Sequence, residues 1–491
     1  MKKYKVLFLS SEVSPFLNVT ALSDYSYRLS LALKDLGHEV RVIMPKYKEI
    51  NDRKYILREV IRLKDIGIPV GNEEKKISIK SAFIPNSKVQ IYFIDFKPYF
   101  FRDGLYSDAK SKKLYTDNDD RFILFSRGTL ETLKLLYWQP DIIHCNDWQT
   151  ALIPLYLKTL YRDDKFFNKS SSILSIHNYG EIGSYNKKTE IKTSFLDNNN
   201  YKSLFTEYKE KFSFLKAGIS GADYIAVNSN TLVSKGVRKG IEDISNLLKK
   251  HQERIFEVSS GVNYSIWDPE NDELIPACYG FKTLSQKTEN KKALLKKLRF
   301  PYNPESMVVG LMYNKMDEEI DNVLSNIAKD IKKLNIQVII IGKIDRKTHS
   351  KLKKYKELYP QNISYCKIDD DKTLHLVLAG CDSLLYPLLF CPDRINPLVC
   401  LKYGTIPIVR SYSEYSDSIQ EFDIKENSGV GFVIKSYTSR DIISKLRKVA
   451  NAYKNENLWL MLQKNGMKKE FLWKDTAKKY SKIYSQAMKK R

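Results

Sequence analysis

The sequence predicts an α/β protein built from two doubly wound, Rossmann-like domains in series. Buried apolar strands alternate with helices through both halves of the 491 residues, which indicates parallel sheets covered on both faces. The alternation stops near 258–300 and then starts again. We therefore predict a first domain over 1–258, a second over 259–465, and a C-terminal helix over 466–491 that returns towards the first domain. Two such domains would face a cleft at the carboxyl ends of their strands.

The chain opens on a strand–helix–strand unit with an unusual loop. The strands are predicted in KYKVLFLSSE and HEVRVIMPKY, and the amphipathic helix in DYSYRLSLALKD, closed by Gly37. A loop between a strand and a helix N-terminus commonly binds phosphate, because free backbone N–H groups and the helix dipole face it. Such a loop needs glycines for close approach. Residues 10–24 contain neither glycine nor lysine, so the frame is present without its usual chemistry.

Further elements follow from short apolar runs, which indicate buried strands, and from helical spacing of apolar residues. The first half has predicted strands at 88–96, 140–147, 171–178 and 223–229, and predicted helices at 119–136, 148–160 and 206–221. The second half has predicted strands at 307–313, 337–342, 363–368, 383–388 and 405–410, and predicted helices at 317–334, 374–380 and 396–403.

Composition restricts the class of protein. The net charge of +24 comes mostly from lysines in short runs along the chain, which is typical of solvated helix faces. A basic polyanion-binding protein remains an alternative, although no RNA-binding signature accompanies the charge. The six cysteines form no CxxC pair and predict a reduced, cytoplasmic protein without a zinc site. No apolar stretch is long enough for a membrane span.

Ordered motifs then point to a family. They are LFLSSEVSPF, FFRDGLY with DNDDRFILFSR, HCNDWQTALIPLYLK, SIHN, FLKAGISGAD, GVNYSIWDPENDE, KTENKKAL, LKYGTIPIVR, GVGFVI and FLWKDTAKKYSKIY. In this order they resemble the motifs of bacterial glycogen synthases and plant starch synthases, retaining glucosyltransferases with the two-domain GT-B fold. The resemblance covers nearly the whole chain.

The resemblance implies an activity. These enzymes transfer glucose from a nucleotide diphosphate sugar, usually ADP-glucose, to the 4-hydroxyl at the non-reducing end of an α-glucan. They use no metal and no cofactor, so protein cations and helix N-termini must stabilise the departing diphosphate. The implied partners are therefore an α-glucan and ADP-glucose, with no nucleic acid and no membrane.

The donor-side motifs depart from the family pattern. Where the family has Lys-Thr-Gly-Gly-Leu, residues 18–22 read Asn-Val-Thr-Ala-Leu, so Asn18 replaces the lysine. Where the family has an Arg and, five residues later, a Lys, this chain has Asn314 and Glu319. Lys315 lies one residue from the first of these positions and is a candidate substitute.

Two further donor motifs are also altered. The Glu of the family's Glu-Pro-Cys-Gly-Leu corresponds to Cys391, which we interpret as a buried thiol rather than a nucleophile. Asp393 and Arg394 are candidate substitutes close by. Tyr412 stands where the family has the Thr of a second Thr-Gly-Gly-Leu loop, and Glu414 adds a negative charge there.

Two residues of the pattern are retained. The resemblance implies that His177 touches the donor glucose and that Asp147 lies in the acceptor-side pocket. The structural alternatives are a strand-end histidine and, for Asp147, a helix N-cap followed by a core Trp148. Arg121 is expected to form an internal salt bridge. Core or rim packing, with a sugar-stacking platform as the alternative, is expected for Tyr99, Phe100, Phe101 and Tyr106.

Our leading hypothesis is a catalytically impaired relative that acts in α-glucan metabolism by binding glucan or by pairing with an active synthase. Two cations at about 5 Å from a diphosphate, at an effective dielectric of about 20, would each contribute roughly 3 kcal/mol. Their loss predicts that ADP-glucose binds about three or more decades more weakly. The alternative is an active α-1,4-glucosyltransferase with a rebuilt donor site.

Overall fold

A computed structural model describes residues 2–186, 188–193, 211–230, 233, 242–313, 318–342, 344–387, 396–411, 413, 415–436 and 438–490. The chain divides into two compact units. Unit 1 comprises Met1–Ser260 and Trp473–Arg491, and unit 2 comprises Gly261–Leu472. Within the described ranges, no helix is long and apolar enough to cross a membrane.

Unit 1 is built on one large sheet. Its strands are β1 (Lys5–Leu9), β2 (Glu39–Pro45), β3 (Arg58–Glu59), β4 (Ile66–Val70), β5 (Glu73–Phe83), β6 (Gln90–Asp95), β7 (Ile142–Asn146), β8 (Ser171–Ile176), β11 (Tyr224–Val227) and β12 (Ile255–Glu257). A separate antiparallel pair joins β9 (Ser184–Asn186) to β10 (Lys211–Ser213). Its helices are Ala21–Asp35, Lys97–Phe100, Asn118–Leu135, Leu152–Lys158, Thr189–Lys192, Phe214–Gly221, Glu242–Lys250 and Trp473–Lys489.

The order of the large sheet is β12-β11-β8-β7-β1-β2-β6-β5-β3, with β4 beside β5. The strands from β12 to β6 are parallel, and β5 is antiparallel to β6. Because β2 lies on one side of β1 and β7 on the other, the direction of winding reverses at β1 and β7. In doubly wound sheets, ligands bind beside the carboxyl ends of the strands at such a switch point.

The opening unit shows why the sequence folds in this way. Thr20 caps the helix Ala21–Asp35, and Leu29 and Leu33 on its inner face are fully buried. Gly37 has a φ of +91°, which a side chain would strain. Its N–H bonds to the Lys34 carbonyl, and this turn leads the chain directly into β2.

Unit 2 contains a wholly parallel sheet of the order β15-β14-β13-β16-β17-β18. Its strands are β13 (Met307–Met312), β14 (Ile336–Gly342), β15 (Ile363–Lys367), β16 (Ser383–Tyr386), β17 (Ile406–Arg410) and β18 (Phe432–Ile434). Its helices are Lys287–Lys297, Glu318–Leu334, Arg346–Leu358, Asp371–Gly380, Pro397–Lys402, Ser439–Tyr453 and Glu456–Met467.

Both faces of this sheet are covered. Val308 and Ile339 belong to one buried cluster, whereas their chain neighbours Val309 and Ile340 belong to a second. Successive side chains of a strand point to opposite faces, so two separate cores require helices on both sides. The predicted α/β class with doubly wound parallel sheets is therefore confirmed.

The final helix belongs to unit 1. It begins at Trp473, whereas the sequence predicted a helix from 466 onwards. Residues 456–467 form a separate helix of unit 2. The helix predicted over 206–221 begins only at Phe214. Residues 211–213 are strand β10, and Ser213 then caps the helix by accepting the N–H of Lys216. Residues 206–210 lie outside the described part of the chain.

Candidate active site

Polar side chains follow four neighbouring strands of unit 1 where each strand ends. Glu12 follows β1, Asp147 follows β7, His177 follows β8, and Asn228 follows β11. Because these strands are parallel and adjacent, their carboxyl ends lie along one edge of the sheet, at its switch point. This edge is the candidate active site.

Asp147 is held in an unusual backbone conformation. Its φ is +54°, and one carboxylate oxygen accepts the N–H groups of His177 at 2.7 Å and Asn178 at 3.2 Å. Burial raises the pKa of Asp147 to about 7. The predicted N-cap role is wrong, because the helix begins only at Leu152 and the carboxylate turns towards the neighbouring strand instead. Asp147 therefore fixes the backbone on which His177 stands.

His177 is held by amides and by an aromatic ring. Its Nε2 lies 3.0 Å from the Asn146 side-chain oxygen, and its ring centroid lies 4.1 Å from that of Tyr25. Desolvation lowers the pKa of His177 to about 3, although a hydrogen bond with Asn228 opposes this shift. The imidazole is therefore neutral at pH 7, so it can donate or accept one hydrogen bond without adding charge.

Glu12 is a site residue that the sequence reasoning missed. One of its carboxylate oxygens accepts the Thr20 N–H at 2.9 Å and the Thr20 hydroxyl at 3.1 Å, and the other accepts the Tyr106 hydroxyl at 2.8 Å. Burial raises the pKa of Glu12, and the nearby charge of Asp147 raises it further. The signal was its place in the loop after the first strand, which ends at Leu9, at the same edge of the sheet as Asp147 and His177.

Glu181 adds a third carboxyl group. Its side chain is exposed, and partial desolvation, followed by the charge of Asp147, raises its pKa. Asp147 and Glu181 beside a neutral imidazole offer hydrogen-bond acceptors and little positive charge, whereas both oxygens of Glu12 already accept internal hydrogen bonds. Such an arrangement suits a ligand rich in hydroxyl donors.

Aromatic rings pack around Trp148, which directly follows Asp147. The centroid of Trp148 lies 4.8 Å from that of Phe122 and 6.0 Å from that of Tyr106, and the Trp148 side chain is buried. Gly183 has a φ of +55°, and a Cβ there would lie 2.5 Å from the Trp148 ring. The position therefore needs glycine, and Trp148 is a core residue, which was its structural alternative.

Arg121 orders the segment that carries Tyr106. It is fully buried and donates to the Tyr99 carbonyl at 2.8 Å, to the Leu105 carbonyl at 2.7 Å and to the Asn118 side-chain oxygen at 2.6 Å. These acceptors are neutral, so the buried guanidinium is held by hydrogen bonds to neutral oxygens and not by the salt bridge that we predicted. Tyr99 and Phe100 are buried, Phe101 is exposed, and Tyr106 reaches Glu12.

The predicted donor-side residues are placed only in part. Asn18 is exposed in the loop between β1 and the first helix, and Thr20 caps that helix by accepting the Leu22 N–H at 3.3 Å. Glu319 lies in the first turn of the helix Glu318–Leu334. The predicted positions outside the described residues are Asn314, Lys315, Cys391, Asp393, Arg394, Tyr412 and Glu414. In the portion that the structure describes, no group of three or more His, Cys, Asp or Glu could hold a metal ion.

Comparison with solved structures defines the class. The catalytic domain of starch synthase IV from Arabidopsis thaliana, solved bound to ADP and acarbose, has the same fold, with a TM-score of 0.82 at 22% identity. The match covers 99% of this chain and 100% of that one. The protein therefore has the GT-B glycosyltransferase fold.

Sequence relatives narrow the class further. The starch synthase catalytic domain family model matches residues 5–243. A glycogen synthase of Pelodictyon phaeoclathratiforme is 31% identical over 99% of both chains. A glycogen synthase of Thermosipho melanesiensis is 33% identical over 99% of this chain and 100% of its own. The chain belongs to the glycogen synthase family, and it is a glycogen/starch synthase-like glycosyltransferase.

Proposed function

We propose that this protein binds α-glucan at the site in unit 1 and that its transfer of glucose from ADP-glucose is impaired or lost. The single observation that carries the proposal is the closed N-terminus of the first helix. The Thr20 hydroxyl accepts the Leu22 N–H there, and the Glu12 carboxylate accepts the Thr20 N–H. Oxygens of the chain itself thus occupy N–H groups of the kind that would otherwise hold phosphate.

The charges at this loop favour the same proposal. Asn18 and Val19 are exposed where the resemblance implies a lysine and a threonine, and a bound diphosphate would approach the buried carboxyl group of Glu12. Without the lysine, the protein loses the attraction between a cation and a diphosphate about 5 Å away, which is worth roughly 3 kcal/mol at an effective dielectric of about 20. Repulsion by a nearby anion adds to this cost.

The acceptor side supports glucan binding. Asp147 and Glu181 offer carboxyl oxygens to sugar hydroxyls, and His177 offers a neutral imidazole. Relatives that match the whole chain are named glycogen synthases. We propose that the protein acts on α-glucan in the cytoplasm, alone or paired with an active synthase.

An active α-1,4-glucosyltransferase using ADP-glucose is the second candidate. It is favoured by the retained strand-end arrangement of Asp147 and His177. In that case Lys315, Arg394 and Asp393 would serve as donor-site substitutes. A basic polyanion-binding protein, the third candidate, rests on the net charge of +24 and would bind nucleic acid with a steep dependence on salt.

The test is calorimetric titration of the full-length protein with ADP, ADP-glucose and maltoheptaose, together with an assay of glucosyl transfer. We expect binding of maltoheptaose, no measurable binding of ADP, and no transfer. If maltoheptaose binds at this site, the variant Asp147→Asn should bind it more weakly than the natural protein does. Tight ADP binding with turnover would establish the active synthase instead. Absence of maltoheptaose binding would refute the proposal.

A substitution series sharpens the donor-side argument. Asn18→Lys, Val19→Thr, Thr20→Gly and Ala21→Gly together would restore the loop that the resemblance implies. If the closed helix N-terminus limits donor binding, this variant should bind ADP more tightly than the natural protein by at least tenfold. An unchanged ADP affinity would show that this loop is not the limiting defect.

A further inference from the structure

A chain of buried hydroxyls joins the final helix to the centre of unit 1. The Tyr484 hydroxyl lies 2.7 Å from Nδ1 of His144, and Nε2 of His144 lies 2.7 Å from the Ser175 hydroxyl. The Ser175 hydroxyl lies 2.8 Å from that of Tyr480, which lies 2.7 Å from that of Tyr25. All five side chains are buried. Four consecutive hydrogen bonds therefore run from the final helix through β7 and β8 to the first helix.

All hydrogen bonds of this chain are oriented the same way, with each group donating to the next one along. Burial lowers the pKa of His144 well below its ordinary value, so its ring is neutral and carries one N–H. One ring nitrogen then donates and the other accepts. The hydroxyl protons of Ser175, Tyr480 and Tyr25 consequently align along the chain, and bonds aligned in this way polarise one another.

The end of this chain lies against the candidate active site. The Tyr25 ring centroid is 4.1 Å from that of His177 on one side. It is 5.4 Å from that of Trp473, the first residue of the final helix, in an edge-to-face contact. The final helix therefore fixes Tyr25 at its ring through Trp473 and at its hydroxyl through Tyr480.

A second contact shows that the helix is held at this place. Nε2 of His38 lies 2.8 Å from the Ser481 hydroxyl, and Nδ1 of the same ring accepts the Tyr4 N–H at 3.2 Å. The Thr476 hydroxyl donates to the Ser259 carbonyl at 3.0 Å. The two tyrosines of the hydroxyl chain thus stand on a helix that is anchored independently of them.

We propose that Tyr25 is a positioning residue for His177 and that Tyr480 of the final helix acts through it. The inference rests on the proposed function for the role of His177 at the sugar site. The Tyr25 ring packs against the His177 imidazole, and the hydrogen bond to the Tyr480 hydroxyl fixes the orientation of the Tyr25 ring. A residue of the last helix would thereby set the orientation of a side chain that contacts sugar.

The test uses full-length Tyr25→Phe and Tyr480→Phe, each of which removes one hydroxyl and keeps the ring. The chain has six histidines, so selective labelling of histidine Cε1 makes the His177 signal assignable by NMR with His177→Asn as the reference. The matched control is Tyr47→Phe, since within the described residues the buried Tyr47 hydroxyl has no hydrogen-bond partner.

We expect the His177 signal to shift and broaden in both variants and to stay unchanged in Tyr47→Phe. The Kd for maltoheptaose should rise about threefold to tenfold. Tyr25→Leu, which removes the ring, should give the larger change in both measurements.

An unchanged His177 signal in Tyr25→Phe, Tyr480→Phe and Tyr25→Leu, even with a lowered Tm, would overturn the proposal and leave the hydroxyls a purely structural role. If the natural protein binds no maltoheptaose, the proposed function fails, whereas the His177 signal still decides the positioning role. If Tyr480→Phe does not fold, Tyr25→Phe and Ser175→Ala test the same chain from its other members.

Discussion

Two clusters of titratable side chains, one in each unit, lie at opposite ends of their sheets. In unit 1, Glu12, Asp147 and His177 follow strands and lie at the carboxyl edge. In unit 2, Asp382 precedes β16, and its carboxylate lies 2.7 Å from Nζ of Lys291 and accepts the Val308 N–H at 2.7 Å. This ion pair is therefore at the amino edge of the sheet of unit 2.

The two sites also differ in how the charge is balanced. Lys291 and Asp382 neutralise each other, and the ammonium also donates to the Ser306 carbonyl and the Tyr453 hydroxyl. Among the salt bridges of the described residues, neither Glu12 nor Asp147 takes part, and the pKa of each is raised. A paired buried charge is typical of structure, whereas a desolvated carboxyl group with a raised pKa at a strand end is typical of a functional site. The difference leads to four predictions, from the largest effect to the smallest.

Breaking the pair of unit 2 should have the largest effect. Lys291→Met leaves the buried Asp382 carboxylate without its cation, so we expect a loss of about 3–5 kcal/mol in the stability of unit 2. Denaturant unfolding, followed by a probe in unit 2, measures this loss. Lys292→Met on the same helix is the control, because Lys292 is exposed and pairs with exposed Glu289. Equal effects of the two substitutions would show that the buried pair is not structural.

Removing the carboxyl group of Asp147 should be less costly. Asp147→Ala leaves the N–H groups of His177 and Asn178 without their acceptor and places alanine at a φ of +54°. We expect a loss of about 2–4 kcal/mol. Asp147→Asn keeps an acceptor oxygen and tolerates this backbone, so at pH 7, where the pH-dependent contribution of Asp147 is being lost, its loss should be below about 1 kcal/mol. Similar losses in the two variants would contradict the backbone-fixing role of Asp147.

The pH dependence of stability separates the two retained residues. The pKa of Asp147 is raised to about 7, so its contribution is present below its ordinary value of 3.8 and is lost as the pH rises through 7. The pKa of His177 is lowered to about 3, so its contribution is present above 6.5 and is lost as the pH falls through 3. Between about pH 4 and 6.5 the two slopes oppose each other.

Two variants isolate these slopes. From pH 4 to 7, the stability of the natural protein minus that of Asp147→Asn should fall by up to about 1.4 kcal/mol per pH unit. The same difference taken against His177→Asn should rise over about pH 3 to 6.5. Unfolding free energies across this range provide the measurement. A difference that does not change with pH would mean that the group in question is not desolvated in the folded protein.

The sequence predicted the strands of this site better than the contacts between them. The apolar runs before Asp147 and His177 were sufficient to place both residues at strand ends. The direction of the Asp147 carboxylate was not predictable, because an Asp before a helix usually caps it and only the positive φ turns it away. The Tyr25–Tyr480 hydrogen bond joins residues 455 positions apart, and no local periodicity indicates such a contact.

Other elements escaped for local reasons. Strand β5 reads EEKKISIKSAF, and its charged start hides the alternation of a strand that is apolar on one face. Glu12 ends the first apolar run, and a charged residue in that place is easily taken for the end of a strand alone. Its two partners, Thr20 and Tyr106, come from different segments, and only the folded chain brings them together.

Tyr106→Phe is expected to have the smallest effect. A phenolic hydroxyl has one proton, so Tyr106 donates to Glu12 and accepts from Ser11, whose oxygen lies 2.8 Å away. Its loss should cost about 1 kcal/mol, because Glu12 keeps both donors of Thr20. The Tyr106 bond lowers the pKa of Glu12, so the variant should also raise that pKa further.

Tyr47→Phe is the matched control for this substitution, because it removes a buried hydroxyl that has no hydrogen-bond partner in the described structure. Its stability should equal or exceed that of the natural protein. NMR titration of the Glu12 carboxyl group and unfolding measurements on both variants test the comparison. If Tyr106→Phe leaves the pKa of Glu12 unchanged, Glu12 is more hydrated than its burial indicates. Glu12 would then be hydrated like a surface carboxylate. In that case only Asp147 and His177 would be desolvated groups without a charged partner, in contrast to the buried Lys291–Asp382 ion pair of unit 2.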